Sequence, residues 1–488
     1  MSTYRLSTIT GLVLLAAVLC LAGLSCSENH TLVTGRRSPV HYEELTYPGL
    51  GDIRIPEVKR VKLANGMQLF LLEDHELPLV NMSAMIRTGS VYEPADKIGL
   101  ASITGTVIRT GGTTGRTGDE IDEELEQIAA SVETGIGQNS GSASVSVLKE
   151  DIDTGLAVLA DVLMNPAFRK DKIELARVQR RSNISRRNDN VRQIVSREFN
   201  KLIYGPQNVY ARQTEYATID NITRDDMVAF HKKFYYPNNM MLAVWGDFDM
   251  DRMIKKIEHA FAAWETADTE LSAVPKVQYQ FRKTVNVIRK EDINQACIQL
   301  GHIGGLMNDP DYFALVVMNR ALSDRVFKNV RSREGLAYSA YGYYGAGYDH
   351  PGVFRVSCQT KSEATVYATR AMMQEVRKIT ESEITDEELA LAKEGFLNSF
   401  VFNFESKGQI VRRLMTLEYF GYPADFLQKT KEKVEKVTKA DVLRVAQKHL
   451  RPDKLQILAV GRPDAFDEPL SVLGPVNEID ITIPSPRQ

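Results

Sequence analysis

The chain has 488 residues, too many for a single hydrophobic core, which sets the expectation at two to four domains. Hydrophobic residues make up 43% and charged residues 25%, a globular balance that excludes wholesale disorder. The formal net charge of −3 over the whole chain leaves no basic footprint and excludes nucleic acid as a partner.

Residues 1–26, MSTYRLSTITGLVLLAAVLCLAGLSC, place one positive charge at Arg5 ahead of an apolar run from Ile9 to Leu24. That run is shorter than the roughly 20 residues a spanning helix needs, so it reads as an export signal. It closes on GLSC, with Ser25 before Cys26, in the manner of a bacterial lipobox whose thiol is acylated. Cys26 is therefore the expected lipidation site, a plain signal peptide or uncleaved anchor being the alternative. The expected location is the cell envelope on the periplasmic side, held to a membrane by lipid; Ser27 in place of Asp leaves the outer membrane open. Residues 27–56 carry Pro39, Pro48 and Pro56 without periodicity and read as a tether.

Order begins with VKRVKLANGMQLFLLED, in which Asn65 and Gly66 form a turn between two strand-like runs, a hairpin signal. Further along, residues 222–247 match residues 437–462 without a gap, at an offset of 215. Thr223 falls on Thr438, Asp226 on Asp441, Pro237 on Pro452 and Gly246 on Gly461. Each copy predicts a helix opened by Thr with Asp three residues later, a proline stop, and a short apolar strand ending in glycine. DKIELAR (171–177) resembles EELALAK (387–393) at nearly the same offset, both opening helices, and LPLVNMSAMIRTGS has a looser counterpart in INQACIQLGHIGGL. Two similar halves follow: an N-terminal domain over 57–267, a linker over 268–282 and a C-terminal domain over 283–488. The fold class expected is α+β, two homologous halves each with a mainly antiparallel sheet covered by helices.

With these pieces placed, the chain resembles the pitrilysin or insulinase family of zinc peptidases. NGMQLFLLEDHELPLVNMSAMIRTGSVYEPADKIGLA carries the family's N-terminal phrase and VRSREGLAYSAYG its C-terminal one, so the resemblance spans about residues 55–465. It implies a processing-peptidase-like architecture, a clamshell around a central cavity. In active relatives GLA is followed by H-x-x-E-H on a helix, two His holding zinc and the Glu acting as base. Here Ser102, Gly105 and Thr106 stand at those positions, and Asn183 stands where the third ligand, a Glu, is found. Hydroxyls and an amide are poor zinc ligands, and glycine offers no base. The expectation is a degenerate zinc site with no metal bound by this chain and no catalytic residue in it.

The eight histidines offer no substitute, since none has a second His three or four residues away. His231 and His259 are expected on solvated helix faces, and His302 in a structural role after a strand. Apart from Cys20 and Cys26 in the leader, the cysteines are Cys297 and Cys358, in strand-like NQACIQL and FRVSCQT, which leaves one disulfide or two buried thiols open. What the resemblance does supply is Arg331 and Tyr338, within RSREGLAY, matching the pair with which active relatives grip the substrate backbone and polarise the scissile carbonyl. The competing view of the pair is Tyr338 packed in the core and Arg331 paired with Glu334. MNRALSDRVF lacks the glycine-rich stretch of relatives and implies a shortened loop before the pair. YSAYGYYGAGY (338–348) suits a peptide groove and an ordinary strand equally well.

Loss of the ligands with retention of the pair is the pattern of the second chain in two-subunit bacterial peptidases of this family. The resemblance thus implies a non-catalytic, substrate-binding subunit of an envelope heterodimeric zinc metallopeptidase. Its partners would be a sibling with an intact H-x-x-E-H motif, which carries the zinc, and an unfolded or extended peptide. The alternative is a catalytically dead envelope lipoprotein that acts as a scaffold.

Overall fold

The computed structural model describes residues 55–268, 270–333, 335 and 337–485. The leader, Cys26 and nearly all of the tether lie outside the described residues. No helix among those described is long and apolar enough to cross a membrane.

The first half builds one six-stranded sheet from β1 (Lys59–Lys62), β2 (Gln68–Glu73), β3 (Leu79–Ile86), β4 (Ser131–Ile136), β5 (Gly141–Leu148) and β6 (Met240–Gly246). Its order is β1-β2-β6-β3-β5-β4, and only the β2–β6 pair is parallel. The hairpin expected at Asn65–Gly66 joins β1 to β2, with Gly66 at a φ of 82° that suits glycine. The second half repeats the plan with β7 (Thr284–Arg289), β8 (Gln295–Ile303), β10 (Ala337–Tyr344), β12 (Val353–Lys361), β13 (Gln456–Gly461) and β14 (Val476–Glu478); β9 (Gly305–Leu306) and β11 (Ala346–Gly347) form a small parallel pair beside it. The order β14-β7-β13-β8-β12-β10 matches the first sheet strand for strand. The difference is at the rim: β14 comes from the chain's end and runs parallel to β7, where β1 runs antiparallel to β2. Both sheets are mainly antiparallel and helix-covered, so the α+β, two-half architecture is the one observed.

The repeat read from the sequence falls on equivalent elements. Helices Arg224–Phe234 and Lys439–His449 each open with a reciprocal capping box, Thr223 with Asp226 and Thr438 with Asp441. Each box satisfies amide donors that the first turn leaves unpaired. Pro237 and Pro452 then begin short 3-10 turns that lead into β6 and β13.

One face of each sheet packs on its own half's helices, giving two separate cores. The other face is covered by a helix from the opposite half. Val191–Tyr204, of the first half, lays Ile194, Val195, Phe199 and Ile203 on Ile288, Cys297, Leu458 and Val460 of the second sheet. Reciprocally, Lys407–Tyr419 of the second half lays Ile410, Val411 and Leu414 on Phe70, Leu72, Met241 and Ala243 of the first. Polar contacts tie the exchange down: Gln456 Nε2 donates to Leu202 O at 2.8 Å, Tyr419 OH to Asn139 O at 2.7 Å, and Arg60 pairs with Glu418 at 3.0 Å. Beyond β14 the chain returns to the first half, where Asn188 Nδ2 donates to Ile481 O at 2.7 Å.

Each exchanged helix covers only part of its sheet. On the first sheet the strip toward β4 is left polar and largely open, with Glu133, Ser142 and Ser144 exposed. On the second, Tyr341 and Tyr343 stand exposed on β10.

Phe199 is 1% exposed and sits at the centre of one exchange. Phe199→Ala is expected to cost about 3–5 kcal/mol. The loss should be read as faster amide hydrogen exchange in β8 and β13, strands of the half that does not encode residue 199. Unchanged protection there would show that the helix does not support the second sheet.

Candidate functional site

The helix Leu100–Thr110 occupies the place of the expected zinc helix. Its N-terminus has no side-chain cap from Gly99, whose φ is 112°. Instead Glu93 Oε1 accepts from Gly99 N at 3.2 Å and from Ala101 N at 2.6 Å. A carboxylate there meets both unpaired amides and the positive end of the helix dipole. Leu100, Ala101, Ile103, Val107 and Ile108 bury the helix in the first core, and only the stripe of Ser102, Thr106 and Thr110 reaches outward.

That stripe is consumed by the helix itself. Ser102 Oγ donates to Gly99 O at 3.0 Å, Thr106 Oγ1 to Ser102 O at 3.0 Å, and Thr110 Oγ1 to Thr106 O at 3.1 Å. Gly105 faces the other way, onto β4. A Cβ at residue 105 would stand 2.3 Å from Ile136 N and 2.7 Å from Gly135 C, inside the contact distance of backbone atoms that cannot swing aside. Thr134 Oγ1 bonds Gly105 O at 2.6 Å and holds the helix against the strand. Residue 105 thus offers no side chain that could act as a base, and the space for one is closed. Asn183 is exposed on Lys170–Ser185, a helix that packs against Leu100–Thr110. Ser102, Gly105, Thr106 and Asn183 do not fit a zinc ion.

Arg331 and Tyr338 lie at the opposite extreme of access. The helix Tyr312–Val326 runs unbroken through MNRALSDRV and passes into a π-helical turn, Phe327–Arg333. Arg331 is exposed in this turn, its guanidinium 4.8 Å over the Phe327 ring. Tyr338 follows on β10, the free edge strand of the second sheet, at a register irregularity between Ala337 and Ser339. It is 73% exposed, which excludes core packing for its ring. Glu334, considered as a partner for Arg331, lies outside the described residues. Along β10, Tyr341 and Tyr343 are 40% and 47% exposed, while Tyr344 turns into the second core.

The histidines depart from expectation at two positions, His231 in its burial and His302 in lying inside β8 rather than after a strand. His259 is exposed, but His231 is buried, its Nε2 2.8 Å from Leu163 O and its ring between Phe168 and Tyr235. Burial pushes its imidazole down to about 4, so it is a neutral core residue and not a solvated one. His302 is structural, with Nδ1 2.7 Å from Ile303 O and Nε2 accepting from Arg451 N at 3.1 Å. Asp309, Asp311 and His449 form the one metal-like cluster among the described residues. Its centre is already neutralised: Asp311 Oδ1 meets Arg444 at 2.7 Å, and Oδ2 meets Lys448 at 2.6 Å and His449 at 2.9 Å. Burial would raise this carboxyl, but the three bonds outweigh it and hold it well below the usual carboxylate range. The cluster is an ion-pair node that ties the start of Tyr312–Val326 to the end of Lys439–His449. Cys297 and Cys358 are free thiols, pushed up by burial to about 11 and about 12. Register places Cys297 opposite Gln359 and Cys358 opposite Ile298, on opposite faces of the sheet.

Comparison with known proteins agrees with this geometry. The model of the insulinase family, peptidase family M16, matches residues 69–212, and that of the peptidase M16 inactive domain matches residues 221–396. The chain belongs to the insulinase family.

This insulinase-family chain is 24% identical over 361 residues to an uncharacterized zinc protease of Bacillus subtilis, covering 73% of this chain and 87% of the other. It is 22% identical over 451 residues to a non-peptidase homologue of Helicobacter pylori, covering 88% and 97%. A peptidase M16 inactive domain from Pseudomonas fluorescens superposes with a TM-score of 0.76 at 23% identity, covering 85% of this chain and 100% of that one. These matches make it an inactive member of the family.

Two outcomes test the sealed helix. Gly105→Ala is expected to destabilise by about 1–3 kcal/mol in urea denaturation, through overpacking against β4. A neutral result would mean that the helix and strand stand further apart. Burial pushes the Glu93 carboxyl up to about 7, against the pull of its two amide bonds and of Arg212 and Arg180. In the unfolded chain the carboxyl titrates near 4.5, so between about 4.5 and 7 the unfolded state holds fewer protons and stability falls as pH rises. Glu93→Gln should remove on the order of 1–3 kcal/mol of that decline, measured between pH 4.5 and 8; an unchanged slope would exonerate Glu93.

Proposed function

We propose that this chain is the non-catalytic, peptide-holding subunit of a two-chain zinc metallopeptidase of the cell envelope. A sibling with an intact H-x-x-E-H motif carries the zinc and the base, and this chain supplies Arg331 and Tyr338 from the facing wall. One contrast carries the reading. The helix that would hold metal is closed against β4, whereas Arg331 and Tyr338 stand exposed beside a free strand edge. A guanidinium and a phenol are both donors that stabilise an oxyanion forming on a substrate carbonyl. The open strand edge and the exposed tyrosines next to it suit an extended peptide, whose main chain pairs with β10 while its side chains meet aromatic faces. The non-peptidase homologue of Helicobacter pylori supports the inactive half of the reading. Tethering through lipid on Cys26 would keep the pair of subunits at the membrane surface.

The test is reconstitution. The full chain, purified from native envelopes, should show no hydrolysis alone and should restore peptidase activity to an H-x-x-E-H sibling. Arg331→Ala with Tyr338→Phe should lower restored turnover roughly tenfold to thousandfold while co-elution of the two chains persists. Envelope association should be lost in Cys26→Ala. Full turnover in the double variant would sink the assignment of the pair and favour a scaffold role.

A further inference from the structure

Between the Val191–Tyr204 helix and the outer strands of the second sheet lies a cavity of about 220 Å³. Its floor is a row of directly paired residues: Tyr341 on β10 faces Ser357 on β12, and Ser357 faces Gln299 on β8. Arg355, two residues before Ser357, lies on the same side of the sheet and lines the same cavity. Gln299 and Ser357 are each 5% exposed. Nevertheless Gln299 Oε1, Ser357 Oγ and Arg355 Nε are all buried without a hydrogen-bond partner. Buried polar atoms are paired as a rule, because stripping them of water without replacement is unfavourable. Three orphans in one cavity therefore point to a ligand that satisfies them together.

Their chemistry restricts that ligand. Arg355 Nε–H donates, the Ser357 hydroxyl donates or accepts, and Gln299 Oε1 accepts. A guanidinium beside a hydroxyl suits a carboxylate, and an acceptor one strand away suits an N–H. The neighbouring Arg192 keeps its charge, but its Nε and Nη2 are turned to Gln359 Oε1 at 3.0 and 2.7 Å, which leaves Arg355 as the guanidinium with an unpaired Nε–H. Arg355 itself is steadied with its guanidinium 4.9 Å over the Tyr343 ring. The acceptor Gln299 Oε1 in the same floor suits a peptide terminus, which carries an N–H beside its carboxylate, better than a phosphate dianion, which carries no donor. Val195 and Cys297 give the cavity an apolar wall, and Tyr341 stands half open at its mouth.

We infer that this cavity is a binding site for the C-terminal carboxylate of a peptide. The carboxylate rests on Arg355 and Ser357, the terminal residue's own N–H donates to Gln299, and a small apolar terminal side chain meets Val195 and Cys297. The inference deepens the peptide-holding role and rests on it for the ligand being a peptide; it needs no contribution from Arg331 or Tyr338.

The test uses the full chain and two N-terminally fluorescein-labelled hexapeptides of one sequence, Gly-Ser-Ala-Gly-Ser-Ala, one a free acid and one a C-terminal amide. Fluorescence anisotropy should show the acid binding roughly tenfold or more tightly than the amide. Arg355→Gln should abolish that preference, and Ser357→Ala should reduce it severalfold, with thermal melts confirming that both variants fold. The acid–amide comparison on the unaltered chain decides the matter even where a variant fails to fold. Equal affinities for acid and amide, or a preference that survives Arg355→Gln, would overturn the site while leaving the Arg331 and Tyr338 assignment intact. Binding of neither peptide would overturn the site and remove the peptide-holding role with it.

Discussion

The reciprocal exchange of helices between the halves is the constraint on which the other features depend. A sheet with one face on its own helices still has an apolar strip on the other, and here each strip is covered by a helix encoded in the opposite half. Neither half is complete without its neighbour. The exchange also determines what stays open. Because Val191–Tyr204 covers β8 and β13 but not β10, the polar residues of the outer strands are left at the edge of a packed boundary. A rigid floor beside an open rim is the arrangement that binding residues need, since their rotamers are then set by the packing beneath them.

The two halves have diverged from one plan in opposite directions. In the first, the helix beside the edge strand packs onto it through Gly105, and its outward stripe is of hydroxyls bonded to their own backbone. In the second, the equivalent helix ends in a π-helical turn, and the edge strand beyond it carries aromatic rings into solvent. The difference between the halves therefore lies in what each helix end and edge strand presents to solvent, and it falls within a shared topology.

Much of the fold was legible before the structure. The ungapped repeat, the Thr–Asp capping pairs and the proline stops all fall on equivalent elements, because each is a local rule that tertiary packing does not override. The exchange itself was not legible. The apolar spacing in Val191–Tyr204 says that one face is buried but not against what, and nothing in the pattern distinguishes a neighbour's sheet from its own. His231 shows the same limit: a polar ring on an amphipathic helix reads as solvated until Leu163 O is found waiting for it. Of the candidate site, the lack of metal-binding side chains at residues 102, 105, 106 and 183 was plain in the sequence, and the closure around Gly105 was not, since it depends on contact with a strand about 30 residues away in sequence. The polar floor of the cavity did leave a trace. In FRVSCQT, Arg355, Ser357 and Gln359 alternate with apolar residues, the period of a strand whose one face is not core.

The closure at Gly105 also bears on any attempt to build a metal site into this helix. With the backbone of Ile136 filling that gap, installing ligand and base side chains one at a time meets a wall at residue 105. Reactivation would take a backbone rearrangement as well as new side chains, because the obstacle is van der Waals contact with a strand.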